Sequence, residues 1–250
     1  MPPAKLLTIA VSHFCEKARW ALDRAGLDYV EKAYLPVAHL IPVKLASGGH
    51  TVPVLVDGGT VVADSTAILK HVDERLPVER RLFPTEPAAC AEVTALEETF
   101  DEQLGPATRR WAYHYLLPER GTSIRVLWPT LGWWDRIMLV LFFPLVRRLI
   151  NRGYRINADS AARSFQRIEA VFNQVGDLLK DGRVYLAGRR FSAADLTFAT
   201  LAGPVLLPDE TGATMPRLED LPAEMSARVK ALRESPAGAF ALRMYRQHRR

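Results

Sequence analysis

The sequence predicts a small mixed α/β unit followed by an all-helical one, on three observations. Residues 1–77 alternate strand-like and helix-like segments in the order β-α-β-α-β-β-α. Residues 78–87 follow Pro77, contain Pro84 and Pro87 and carry a run of charges, so they read as a linker. Residues 88–250 have almost no strand signal and several stretches of helical periodicity. At 250 residues the chain is long enough to bury two cores.

Leu6 to Val11 is an apolar run of strand length, and Cys15 to Ala25 reads as a helix closed by Gly26. Leu27 to Tyr34 is a second strand candidate. Residues 36–46 hold Pro36 and Pro42 and are at most weakly helical. Thr51 to Val56 is rich in β-branched residues, and Asp57-Gly58-Gly59 is a hairpin turn that leads into the short strand Thr60 to Val62. Ala63 to Leu76 then places Ile68, Leu69, Val72 and Leu76 at helical spacing.

In the second part, Ala88 to Tyr115 reads as one helical stretch broken near Gly105-Pro106. Ala161, Phe165, Ile168, Phe172, Val175 and Leu179 step by four and three along an amphipathic helix. Phe191 to Leu196 is a helix start: Ser192 caps, Asp195 answers from the third position and Phe191 staples to Leu196. Residues 118–157 are unusual, with seven arginines against two acidic residues. They include the apolar run Ile137 to Val146, which contains Pro144 and is too short to span a bilayer. Residues 131–148 therefore have three candidate uses: a wall of an apolar pocket, a buried dimer contact, or a peripheral contact with a membrane surface.

Composition excludes several classes. Charged residues at 24% and hydrophobic ones at 48% mark an ordinary soluble chain rather than a disordered one. The net charge of +5 gathers partly in the tail, residues 243–250, which reads as solvated, and no nucleic-acid partner is predicted. Two cysteines, Cys15 and Cys90, imply no disulfide framework and fit a reducing, cytoplasmic compartment. The first residues lack the pattern of a signal peptide. Six histidines and two cysteines show no metal-ligand spacing, and no phosphate-cradling glycine motif occurs.

Four places carry candidate chemistry. Ser12 and Cys15 put a hydroxyl and a thiol where the first strand hands over to the first helix. Val52-Pro53 puts a proline within an apparent strand: either an edge proline, or a cis turn that leaves the valine amide and carbonyl free for an extended ligand. His50 stands beside it. Asp64-Ser65 at a helix start is either a cap or a head-group site, with Ser65 and the helix amides for a carboxylate and Asp64 for an ammonium. Trp111, Tyr113, His114 and Tyr115 crowd the end of one helix as either core or the wall of a substrate site.

Together these features resemble the soluble, cytosolic-type glutathione transferases, specifically a Ser-type theta-, zeta- or delta-like bacterial member. Ser12 lies seven residues before Arg19, the family spacing of the active-site Ser (or of the Cys of omega-like classes). His50, Val52, Pro53, Asp64 and Ser65 fall where delta-like members hold glutathione, although the family often has Glu at the position of Asp64. Ser192-Ala193-Ala194-Asp195 matches the helix-capping motif of the family's second domain. The resemblance implies a thioredoxin-like domain, a helical-bundle domain, glutathione as co-substrate, no metal, and a homodimer. The implied reaction is conjugation of the glutathione thiolate to an apolar electrophile, as in detoxification. Ser12 would donate a hydrogen bond to the sulfur rather than act as a nucleophile. Glutaredoxin-like relatives carry Cys-x-x-Cys at this turn, where Cys15 takes the second position, so a thiol reductase or lyase using Cys15 is the alternative. A non-catalytic protein of the same fold, with a membrane or protein partner, is the other.

Overall fold

The computed structural model describes residues 3–249. Four strands form one sheet in the order β2-β1-β3-β4: β1 (Ala4–Thr8), β2 (Tyr29–Ala33), β3 (Val54–Asp57) and β4 (Thr60–Ala63). β1 runs parallel to β2 and antiparallel to β3, with Leu6 opposite Leu55, and β3 pairs antiparallel with β4 across the Asp57–Gly58–Gly59–Thr60 turn. Alternation along β1 sends Leu6 and Leu7 to opposite faces. On one face Leu6 and Leu55 pack with Ala18 and Leu22 of α1 (His13–Ala25) and Ile68 and Val72 of α3 (Ser65–Asp73). On the other, Leu7 and Val54 pack with Val43 of α2 (Leu40–Ser47).

Three expectations for this domain change, the first being that the strand expected over Thr51 to Val56 begins only at Val54, which leaves Pro53 just outside it. β1 ends at Thr8 rather than Val11, because the Ile9 carbonyl accepts from the Ser12 amide and turns the chain into α1. The segment with Pro36 and Pro42 forms a full helix, α2, since Pro42 sits in its first turn, where amides need no partner.

The second domain contains α4 (Pro87–Thr99), α5 (Gly105–Leu116), α6 (Arg120–Leu127), α7 (Trp133–Gly153), α8 (Ala158–Leu179), α9 (Ala193–Leu206), α10 (Ala223–Glu234) and α11 (Pro236–His248). The expected break near Gly105-Pro106 is a π turn, Phe100–Leu104, that joins α4 to α5 without interruption. Pro106 has no amide to donate, and the wider turn, with Gly105 N–H bonded to Phe100 O, takes up the irregularity. Helix α9 is buried along its whole length. Phe198 at its centre meets the rings of Phe100 and Phe172, at centroid distances of 5.1 and 5.6 Å. The expected α8 stripe is the face that packs here, with Ile168 and Val175 fully buried. The Asp195 carboxylate accepts from the Ser192 amide (2.8 Å) and hydroxyl (2.7 Å) and from the Leu186 amide (2.7 Å). Burial nevertheless pushes its pKa up to about 6.

The described part of the basic tail is largely packed rather than solvated, with Arg246 and Gln247 exposed. It continues α11, whose Tyr245 is buried, and the His248 carbonyl accepts from Trp20 Nε1 at 3.1 Å. Arg249 pairs with Glu16 and Asp23 of α1, both at 2.7 Å. Arg250 lies outside the described residues.

Helices α10 and α11 meet so closely that a Cβ on Gly238 would stand 1.9 Å from the Leu232 carbonyl oxygen. Gly238→Ala is therefore expected to destabilise the protein by about 1–3 kcal/mol, as overpacking against rigid backbone does. Urea unfolding checks this, and an unchanged midpoint would contradict the packing.

Candidate functional site

A cleft opens between the two domains, with about 1310 Å³ of empty space continuous with solvent. The first domain supplies Ser12, His13 and Phe14 from the start of α1, and His39, His50, Thr51 and Val52. Helix α5 supplies Arg109, Tyr113 and Leu116, and α7 supplies Leu139, Phe143, Val146 and Ile150.

Ser12 is the N-cap of α1 and only half-buried. Its Oγ accepts from the Cys15 amide at 3.3 Å, which leaves the hydroxyl proton to donate elsewhere. The positive end of α1 lies beside it. Cys15, three residues on, is fully buried and does not line the cleft. Burial pushes its thiol pKa up, against the opposing effects of Arg19 and Ser12. Such a thiol is a poor nucleophile.

His13 is next to Ser12 and escaped the sequence reading. Its ring is buried, with Nε2 2.9 Å from the Gly105 carbonyl. Burial first, and Arg109 second, lower its pKa to about 3, so the imidazole is neutral at physiological pH. Gly105 makes room for this arrangement, since a Cβ there would stand 2.5 Å from Phe14 Cζ.

The Val52–Pro53 bond is cis. The Val52 amide and carbonyl have no backbone hydrogen-bond partner among the described residues. The Pro53 carbonyl accepts from the Asp64 amide at 3.2 Å, which draws the two candidate segments together. Asp64 holds φ 87°, ψ 140°, a conformation that costs a residue with a side chain roughly 1–3 kcal/mol. Its Oδ1 caps α3 through the amides of Thr66 (2.8 Å) and Ala67 (3.2 Å). Ser65 is buried, and its Oγ has no hydrogen-bond partner among the described residues. A buried hydroxyl without a partner is costly unless a ligand completes it.

A buried ion cluster lies beneath this helix start. Lys17 Nζ donates to Thr66 Oγ1 (2.8 Å), to Asp101 Oδ1 (2.8 Å) and to Glu97 Oε1. Thr66 also donates to Glu97 at 2.7 Å. Lys17 and Glu97 are both fully buried. Burial raises the pKa of Asp101, with Lys17 opposing it.

The four residues near the end of α5 divide: Tyr113 lines the cleft, whereas Trp111, His114 and Tyr115 gather on another side of the helix. Tyr113 faces the cleft, where burial pushes its phenol up to about 12 and keeps it protonated. Trp111 is core, its ring 5.5 Å from that of Phe165. His114 and Tyr115 share its side of the helix and border a separate depression with Glu224 and Arg228. Arg109 is a second cleft residue that the sequence reading missed. Its guanidinium lies 4.2 Å from the Tyr154 ring centroid and 5.7 Å from that of Phe14, and its Nε is buried without a partner. Its position four residues before Tyr113, on the same helix face, was the available signal.

Residues 6–80 match the protein family described as "Glutathione S-transferase, N-terminal domain". Glutathione S-transferase 1 of Dianthus caryophyllus is 30% identical over 128 residues, or 50% of this chain. The match spans 57% of the length of that curated relative. A glutathione S-transferase structure from Xanthobacter autotrophicus Py2 superposes with a TM-score of 0.64 at 17% identity, covering 98% of this chain and 93% of its own. One from Methylobacillus flagellatus KT, with glutathione bound, gives 0.58 at 18% identity over 95% and 98%. Structures this distant in sequence show likeness of fold alone. That fold, a thioredoxin-like domain followed by an all-helical one, is the glutathione transferase fold.

Proposed function

We propose that this chain, whose residues 6–80 match the glutathione S-transferase N-terminal domain and whose fold is the glutathione transferase fold, is a Ser-type transferase that joins the glutathione thiolate to an apolar electrophile. The observation that carries this reading is the cleft, where the free Ser12 hydroxyl at the α1 N-terminus faces an apolar wall built by α5 and α7. The γ-glutamyl carboxylate would take the Ser65 Oγ and amide, the α3 amide that Asp64 does not cap, and the ammonium would take Asp64. The cysteinyl backbone would pair with the free amide and carbonyl of Val52, beside His50 and Pro53. Ser12 O–H would donate to the sulfur and, with the helix terminus, favour its ionised form. The thiolate then attacks the electrophilic carbon, a C–S bond forms, and the displaced group leaves with the electron pair. Tyr113 keeps its proton and can hydrogen-bond a polar atom of the second substrate. Burial of Cys15 argues against the thiol-reductase alternative. The homodimer and the cytoplasmic detoxification role implied by the resemblance belong to the same proposal.

Calorimetry with glutathione is the direct test. Ser65→Ala should weaken binding by about 1–3 kcal/mol, the cost of losing a charge-assisted bond. Unchanged affinity in that variant would leave Ser65 a structural hydroxyl only. No measurable binding to the unmodified protein would sink the reading.

A further inference from the structure

Helix α7 is apolar on both sides. Its inner residues Leu139 and Phe143 pack with Leu35, Leu127 and Leu131. Its outer residues Trp133, Trp134, Leu141 and Leu145 are 61, 63, 66 and 52% exposed, and Ile137 and Leu149 extend the same stripe. From Trp133 to Leu149 the stripe runs for about 24 Å at 1.5 Å per residue. An apolar strip of this length on a surface helix marks a place that another phase or molecule covers.

The charges around it indicate what covers it. Asp135 is the only acidic residue on α7, whereas Arg148 and Arg152 are exposed near its C-terminal end and Arg155 follows in the turn. Beyond that turn Arg163 and Arg167, on α8, continue the basic surface. None of these five has an ion-pair partner among the described residues. At the other end the rings of Trp133 and Trp134 stack at 3.9 Å. Tryptophans at one end, an apolar strip and unpaired arginines at the other suit a helix lying flat in the headgroup zone. No helix among the described residues is long and apolar enough to cross a membrane, so spanning is not the arrangement. A second copy fits less well, since pairing α7 with itself would set one Asp135 against several arginines on each side.

We propose that α7 seats this protein on the surface of anionic lipid bilayers, its outer face reaching the acyl boundary and its arginines meeting phosphate headgroups. This assignment stands apart from the glutathione site, because the residues involved do not line the cleft.

The test uses the full chain with vesicles of phosphatidylcholine alone or mixed with phosphatidylglycerol. Co-sedimentation and a blue shift of tryptophan emission are expected with the anionic vesicles and not with the neutral ones. Arg148→Gln with Arg152→Gln should weaken partitioning about thirtyfold, the worth of two basic residues near such a surface. Leu141→Glu with Leu145→Glu should abolish both signals. Glutathione calorimetry on each variant confirms an intact fold if the transferase reading holds, and circular dichroism does so if it fails. Absence of anionic-vesicle binding overturns the proposal, and so does binding that survives the glutamate variant, which would be surface adsorption by charge alone. A dimer in light scattering that the glutamate variant converts to monomer, without vesicle binding, would assign the face to a second copy instead.

Discussion

Replacing Ser12 with alanine is expected to cut conjugation by saturating glutathione at pH 7 by roughly 25-fold while weakening glutathione affinity at that pH only about fourfold. An unperturbed thiol with a pKa of about 8.5 is roughly 3% ionised at pH 7. Lowering that pKa by about two units makes the thiolate the majority form, a differential stabilisation of about 2.7 kcal/mol. In the proposed site Ser12 would supply the donor for this, since its oxygen already accepts from the Cys15 amide and its proton is left to donate. Without the donor, bound glutathione returns towards its solution pKa, so the loss should shrink as pH rises through 8 and 9. Ultraviolet absorbance of the thiolate, followed against pH, reads the shift directly. Cys15→Ser should leave turnover largely intact, because that thiol is buried away from the cleft. If instead Cys15→Ser abolishes turnover, and Cys15 is captured by glutathione disulfide as a mixed disulfide, the thiol-reductase reading replaces the transferase one.

The largest loss of stability is expected from Lys17→Met, about 3–5 kcal/mol at pH 7 in urea unfolding. The substitution fills much of the same space but leaves Glu97, fully buried, and Asp101 without their shared cation. The pH dependence of the deficit follows from the sign of the carboxylate shift. Without Lys17, burial is unopposed and raises the Asp101 pKa in the folded state further above the unfolded one. The folded variant then binds more protons than the unfolded chain, so its stability falls as pH rises and recovers as pH drops from 7 towards 5. Adding Glu97→Gln to Lys17→Met should restore part of the loss. A single variant within about 1 kcal/mol of the parent would contradict the buried ion pair.

Much of the architecture was legible because it rests on local patterns. The α8 stripe, the Gly26 helix end and the Ser192–Asp195 cap are all set by residues a few positions apart. Ser12, Val52 and Asp64 were legible for the same reason, as local turn and cap chemistry. Long-range choices were not. The aromatic run on α5 gives no sign of which side meets α8, and it is α8 that takes Trp111 and leaves Tyr113 to the cleft. The Lys17 cluster joins residues 80 and more apart. The tail looked solvated because its partners, Glu16 and Asp23, lie at the opposite end of the sequence.

The pairing of Glu16 bears on the order in which the chain can mature during synthesis. Its carboxylate is fully buried within α1, and besides a long contact with Arg19 at 3.5 Å its partners are the Gly212 amide (3.0 Å) and Arg249 (2.7 Å). A ribosome adding 5–20 residues per second reaches position 249 roughly 10–50 s after position 16. Throughout that interval Glu16 lacks the Gly212 amide and Arg249, and Arg19, one turn along its own helix, is the partner already made. The native surroundings of this first-helix acid are therefore complete only once residues 212 to 249 have been made and have docked against it.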